Sequence, residues 1–233
     1  MAPLLAQALL QSGQTRKLIS EFSDQSLADP PAMSTLLQHL SMAYLAQGNV
    51  TEAKAAAVRA LQLTPESEGA ILASVRTKLA GGFIDDAMAT LDQLLVRSPK
   101  AVKALQLKAE ALLTQNKVAE AEPLLAQVLA LDPAHYDARA LLVRLAFSQQ
   151  RVDAAAKLVD EMPAAVGNRP QGRLLKAQVA LAKNDPAKAK ELALPLLKVM
   201  PDYLPLLRLA SGAHQQLGEL ADAENLLNQA LKL

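Results

Sequence analysis

Side chains able to make or break bonds are few and far apart in this chain. The three histidines, His39, His135 and His214, stand 96 and 79 residues from one another. No HExxH or other close His pair exists to place two imidazoles on one helix face around a metal. His214 is expected to pack between helices, and His135, after Asp132-Pro133, to face solvent from a turn. Asp85-Asp86 is the most obvious carboxylate pair. It opens a helical stretch, as do Glu52, Glu120 and Asp222, where negative charge interacts favourably with the helix dipole rather than with a substrate. Gly81-Gly82 lacks the Lys-Ser or Lys-Thr of a phosphate loop, and no serine stands in a Gly-x-Ser-x-Gly setting. Cysteine is absent, which removes disulfides, thiolate nucleophiles and sulfur-based zinc sites. The residues therefore point away from an enzyme, with no catalytic residue, cofactor or metal expected.

The elements around these residues are aliphatic. Of 233 residues, 51% are hydrophobic and only 3% aromatic, with no Trp, so a large core must be built from Ala and Leu. Lys plus Arg number 24 against 23 Asp plus Glu, a net charge of +1. No basic field exists to attract a polyphosphate, so nucleic acid is not the expected partner. The longest uncharged stretch, 30–51, contains Gln38, His39, Gln47, Gly48 and Asn49 and is a poor membrane span.

The chain repeats with a period of 34 residues: Ala occurs at 53, 87, 121, 155, 189 and 223. Pro follows the same period at 31, 65, 99, 133 and 201, with Gly167 in the remaining place. Between them fall Gly48, Gly82, Asn116, Gln150, Asn184 and Gly218, mostly residue types that suit a sharp turn. Within 34–67, Leu36, Leu37, Leu40, Ala43 and Tyr44 recur at helical spacing, and Ala53, Ala57, Ala60 and Leu61 form a second stripe after Gly48-Asn49. Each period thus predicts a hairpin of two helices, which cannot bury both faces alone and must stack on its neighbours. The periodic Ala has a steric reason. Two antiparallel helices approach closely only where a side chain is small. The facing positions, Ser41, Val75, Ala109, Val143, Ala177 and Ser211, are small as well.

This pattern resembles the tetratricopeptide repeat (TPR), which implies an all-α fold: a TPR α-solenoid, a right-handed superhelix of about seven helix-turn-helix units, partial at each end. The units run 34–67, 68–101, 102–135, 136–169, 170–203 and a clipped 204–233, behind a divergent partial unit at 1–33, all in one continuous solenoid. The Trp of the family pattern is missing, and its Tyr occurs only as Tyr44. Pro123 and Pro195 fall inside second helices and should bend them, whereas Pro186 behind Asp185 reads as a first-turn proline with a capping Asp. The stretch 161–169, with Pro163, Gly167 and Asn168, makes 136–169 the divergent unit and predicts a shortened helix.

In that family the first helices line a concave groove that holds a peptide or protein. Carried onto this chain, the lining positions are Gln38 and Met42; Leu72 and Arg76; Lys103, Gln106 and Glu110; Asp137, Arg144 and Phe147; Gln171, Leu174 and Gln178; and Arg208 and Gln215. Gln can pair with a peptide backbone and Arg can hold a carboxylate bidentately. Arg76, Arg144 and Arg208 recur on alternate units and form a candidate ladder. The Lys and Asn set with which co-chaperones of the family clamp a C-terminal carboxylate is not present in any three consecutive units.

Two stretches carry a narrower resemblance: Pro3-Leu4-Leu5-Ala6-Gln7-Ala8-Leu9-Leu10-Gln11-Ser12-Gly13-Gln14, and Met200-Pro201-Asp202-Tyr203-Leu204-Pro205. They resemble the large TPR lipoproteins of the exosortase (PEP-CTERM) protein-sorting system, which accompany exopolysaccharide gene clusters in Gram-negative bacteria. That resemblance implies a non-catalytic scaffold of the bacterial envelope, periplasmic or anchored at the outer membrane through a lipidated Cys that this segment lacks, the segment being a piece of a longer array. A cytoplasmic location is the alternative. An alternative function is the accessory array of a larger enzyme, a glycosyltransferase or peptidase with its catalytic domain elsewhere. A third is an intracellular reader of peptides. Leu226, Leu227 and Leu231 at the C-terminal end are expected to be exposed and to invite self-association.

Overall fold

The structure is a computed structural model that describes residues 1–233, and it contains fifteen α-helices and no strand, an α-solenoid. The chain divides into two compact units, Met1–Ala121 and Glu122–Leu233. The first holds α1 (Ala2–Gln11), α2 (Thr15–Phe22), α3 (Pro30–Ala46), α4 (Val50–Leu63), α5 (Glu68–Ala80), α6 (Ile84–Arg97) and α7 (Val102–Thr114). The boundary lies within α8 (Val118–Leu131). The second holds α9 (Tyr136–Ser148), α10 (Val152–Asp160), α11 (Ala164–Gly167), α12 (Pro170–Ala182), α13 (Pro186–Leu197), α14 (Leu204–Gln216) and α15 (Leu220–Ala230).

Within each unit a helix packs on its hairpin partner and on the first helix of the next hairpin: α3 on α4 and α4 on α5 in the first, α12 on α13 and α13 on α14 in the second. The periodic alanines are buried, and Ser41, Val75, Ala109, Val143, Ala177 and Ser211 are buried as well. The two serines show what the small facing residue does. Ser41 Oγ donates to the carbonyl of Ala53 at 2.9 Å and Ser211 Oγ to that of Ala223 at 3.1 Å. A hydroxyl reaches across only if the paired backbones nearly touch.

The turns are equally uniform. Gly48, Gly82 and Gly218 take φ of 77–79°, and Asn116, Gln150 and Asn184 take 58–61°, the left-handed conformation that ends one helix before the next begins. Asp185 caps α13 by accepting from the Lys188 amide at 3.0 Å, with Pro186 behind it. Pro123 lies within α8, while α13 stops at Leu197, shortly after Pro195. Side chains two periods apart repeat one contact between neighbouring hairpins with its chemistry changed. Lys54 lies 5.6 Å over the Phe83 ring, Arg151 pairs with Glu122 at 2.7 Å, and Lys190 with Glu219 at 2.6 Å, charges exchanged.

The irregular segment is 161–169. There α10 stops at Asp160 and the four-residue α11 takes up the chain before α12. The early stop leaves the Leu158 carbonyl without its helical donor, because the Met162 amide bonds to Val159 O instead. Arg139, only 3% exposed, supplies the missing donor: its guanidinium donates to Leu158 O and, at 2.8 Å, to Pro133 O. Gly172 lets α11 lie directly on α12. A Cβ there would sit 2.3 Å from the Val166 carbonyl oxygen.

Candidate functional site

The divergent hairpin shapes a cleft on the first-helix side of the 122–233 unit. Its volume is about 430 Å³, and Tyr136, Arg144, Phe147, Leu174, Gln178 and Tyr203 are among its walls, from α9, α12 and the start of α14. The chain has six Tyr and Phe residues in all, and three of them meet here. The Tyr136 hydroxyl donates to the Gln171 carbonyl at 3.3 Å, spanning the gap between α9 and α12. Burial, with help from Asp137 and Tyr203 and against Arg144, pushes the Tyr136 hydroxyl above its ordinary pKa of 10.0, so it stays a neutral donor. Arg144 is exposed on the rim and has no carboxylate partner. A smaller adjoining cavity of about 250 Å³ lies against Asp137, Val166, Arg169 and Gln171. An apolar, aromatic floor with an unpaired guanidinium at its edge can seat one apolar side chain and one acidic group of an extended segment.

The sequence-predicted lining residues divide by environment. Arg144, Phe147, Leu174 and Gln178 are brought together in the larger cavity, and Asp137 and Gln171 in the smaller. Arg208 and Gln215 are exposed on α14. In the 1–121 unit, Leu72 is 4% exposed and belongs to the core with Val75, Leu91 and Leu107, so it is unavailable to a partner. Its apolar side chain gains more from burial than the groove position would give it. Gln38 is half-buried, with its amide on Ser34 Oγ at 3.2 Å and its carbonyl against Gly69. Gln106 donates to Glu110 at 2.7 Å, while Met42 and Lys103 are exposed and Arg76 is partly so. Lys103 acts on His39: burial first and this cation second lower the His39 pKa.

Tyr136, Tyr203 and Arg169 were not anticipated. Tyr136 and Tyr203 stand at unit junctions rather than at family groove positions, and the signal available was that aromatics are so scarce elsewhere. His135 is partly exposed in the turn before α9, and it has a role the sequence did not show. Its Nδ1 caps α9 by accepting from the Ala138 amide at 3.3 Å. His214 is buried between α14 and α15, as expected. At the C-terminal end Leu227 and Leu231 are exposed, while Leu226 packs on the core formed by Leu174, Leu196 and Leu206.

A tetratricopeptide repeat family model matches residues 44–111 and 112–179, each match spanning two 34-residue periods and together more than half the chain. The chain belongs to the tetratricopeptide repeat family. Repeats of this family generally serve as protein–protein interaction scaffolds and bind protein partners. The fold is similar to that of a TPR protein from Parabacteroides merdae (15% identity, TM-score 0.63, 86% of this chain and 79% of that one). It is also similar to Pseudomonas aeruginosa pilF (16% identity, TM-score 0.61, 88% and 93%). A chain of the APC/C hetero-tetramer Cut9–Hcn1 is similar over 93% of this TPR chain and 41% of its own length (15% identity, TM-score 0.68). A search of curated proteins finds no match. No helix of this TPR chain is long and apolar enough to cross a membrane.

Proposed function

We propose that this TPR chain is a non-catalytic scaffold that holds an extended peptide segment of a protein partner in the cleft bounded by α9, α12 and α14. The observation that carries this reading is the convergence of Tyr136, Phe147 and Tyr203 beside the unpaired Arg144. Rigid aromatic rings supply contact area at low entropic cost, and an exposed Arg adds orientation toward an acidic group. The segment bound has one bulky apolar side chain flanked by Asp or Glu. Peptide display against the immobilised chain tests this. The enriched sequences should combine an apolar anchor with acidic flanks, and should lose affinity on Arg144→Glu and on Phe147→Ala. Enrichment of basic peptides, or binding indifferent to both substitutions, would refute it.

The wider setting we infer is the bacterial envelope, with the scaffold periplasmic or held at the outer membrane as part of an exopolysaccharide-linked protein-sorting system. What supports this is the wording of 3–14 and 200–205. Fractionation of the native cells tests it, and recovery of the protein in the cytosol alone would exclude it.

A further inference from the structure

The hairpin of α14 and α15 brings together three groups that the chain order separates: His214 in the last turn of α14, Glu219 at the start of α15, and Asp222 in its first turn. One ligand atom from each lies within 4.8 Å of the others. His214 Nδ1 is 2.6 Å from Glu219 Oε2 and 3.7 Å from Asp222 Oδ2. The imidazole is 8% exposed, and its Nδ1 is buried with no hydrogen-bond partner, the Glu219 oxygen lying close but out of line for a ring N–H. A buried ring nitrogen crowded by carboxylate oxygens without a hydrogen bond between them is a site that a cation would complete.

We propose that His214 Nδ1, Glu219 Oε2 and Asp222 Oδ2 form a binding site for a divalent transition-metal ion of the zinc class, stapling α14 to α15. One imidazole nitrogen and two carboxylates are a donor set that such ions accept, with solvent completing the shell from the exposed Asp222 side. Ligand atoms around a tetrahedral zinc lie about 3.3 Å apart, so Glu219 must swing outward by less than 1 Å or so, which a partly exposed side chain at a helix start can do. Lys190 is the competing cation. Its Nζ lies 2.6 Å from both Glu219 oxygens. It can keep Oε1 while Oε2 turns to the metal.

Titration calorimetry of the full chain with ZnCl2 is expected to show a single site per chain. Asp222→Asn changes an exposed side chain that the fold does not need, and should weaken zinc binding about tenfold or more. Lys190→Met should tighten it by removing the competitor. His135→Asn, which keeps a good capping residue, should leave it unchanged. With Co2+ as probe, the wild-type chain should develop visible absorption that His214→Gln abolishes. Absence of binding to the wild-type chain would overturn the proposal. So would zinc affinity that survives Asp222→Asn unchanged, affinity that falls on Lys190→Met, or affinity that depends on His135 instead.

Discussion

Replacing Arg139 by Met should unfasten the irregular hairpin that borders the cleft. Met keeps most of the apolar stem but has no donor, so the carbonyls of Leu158 and Pro133 lose the guanidinium that satisfies them. Hydrogen bonds to a charged donor contribute about 1.5–3 kcal/mol each. Two opposing effects reduce the sum. The buried charge no longer has to be held out of water; burial already lowers the Arg139 pKa, with Glu161 partly offsetting it. Water can also reach part of the released Pro133 turn, which lies at the surface. The net expectation is a loss of about 2 kcal/mol. For a chain of this size that is a fall in melting temperature of about 4–8 °C. Hydrogen exchange should localise the loss to 155–170, because repeat arrays open hairpin by hairpin rather than all at once. Arg139→Lys should behave almost as badly, since an ammonium cannot reach two carbonyls in the geometry of the fork. An unchanged or raised melting temperature for Arg139→Met would refute the reasoning, by showing that removing the buried charge outweighs the orphaned carbonyls.

Other expectations follow from single positions. Gln150 occupies a left-handed turn at φ 58° where its homologous neighbours are Gly or Asn, so Gln150→Gly should raise stability in urea titration by about 0.5–1 kcal/mol. Gly172→Ala should do the reverse of an ordinary helix Gly→Ala change, costing about 1–3 kcal/mol in the same assay because the new methyl meets the Val166 carbonyl. His39 has a folded-state pKa below its ordinary 6.5, so the unfolded chain binds more protons as pH falls. Its contribution is fully present above pH 6.5 and declines as pH drops below it; His39→Gln should flatten that part of a melting temperature–pH profile.

The fold was largely legible because its determinants are local and periodic. A small residue must stand where Ser41 meets Ala53, a left-handed turn must stand at Gly48, and both recur at 34 residues. A capped start such as Asp185-Pro186 is also written in adjacent residues. The cleft was legible only in part. Arg144, Phe147, Leu174 and Gln178 follow from their place on first helices, but Tyr136 and Tyr203 enter from unit junctions, outside the groove positions that the repeat pattern marks. Leu72 shows the opposite failure. A groove position occupied by an apolar residue sinks into the core when the neighbouring helices leave room for it. Arg139 gave no local signal at all, since its two acceptors are 6 and 19 residues away and one exists only because α10 ends early. The His214 cluster was invisible for a related reason: spacings of five and three residues mean nothing until a hairpin turn folds α15 back on α14.

The most direct measurement is hydrogen–deuterium exchange of the full chain with and without a peptide selected by display. The predicted result is slowed exchange confined to α9, α12 and the start of α14, and its disappearance in Arg144→Glu. Protection centred on α10 and α13, or on residues 1–121, or none at saturating peptide, would contradict the assignment of the cleft.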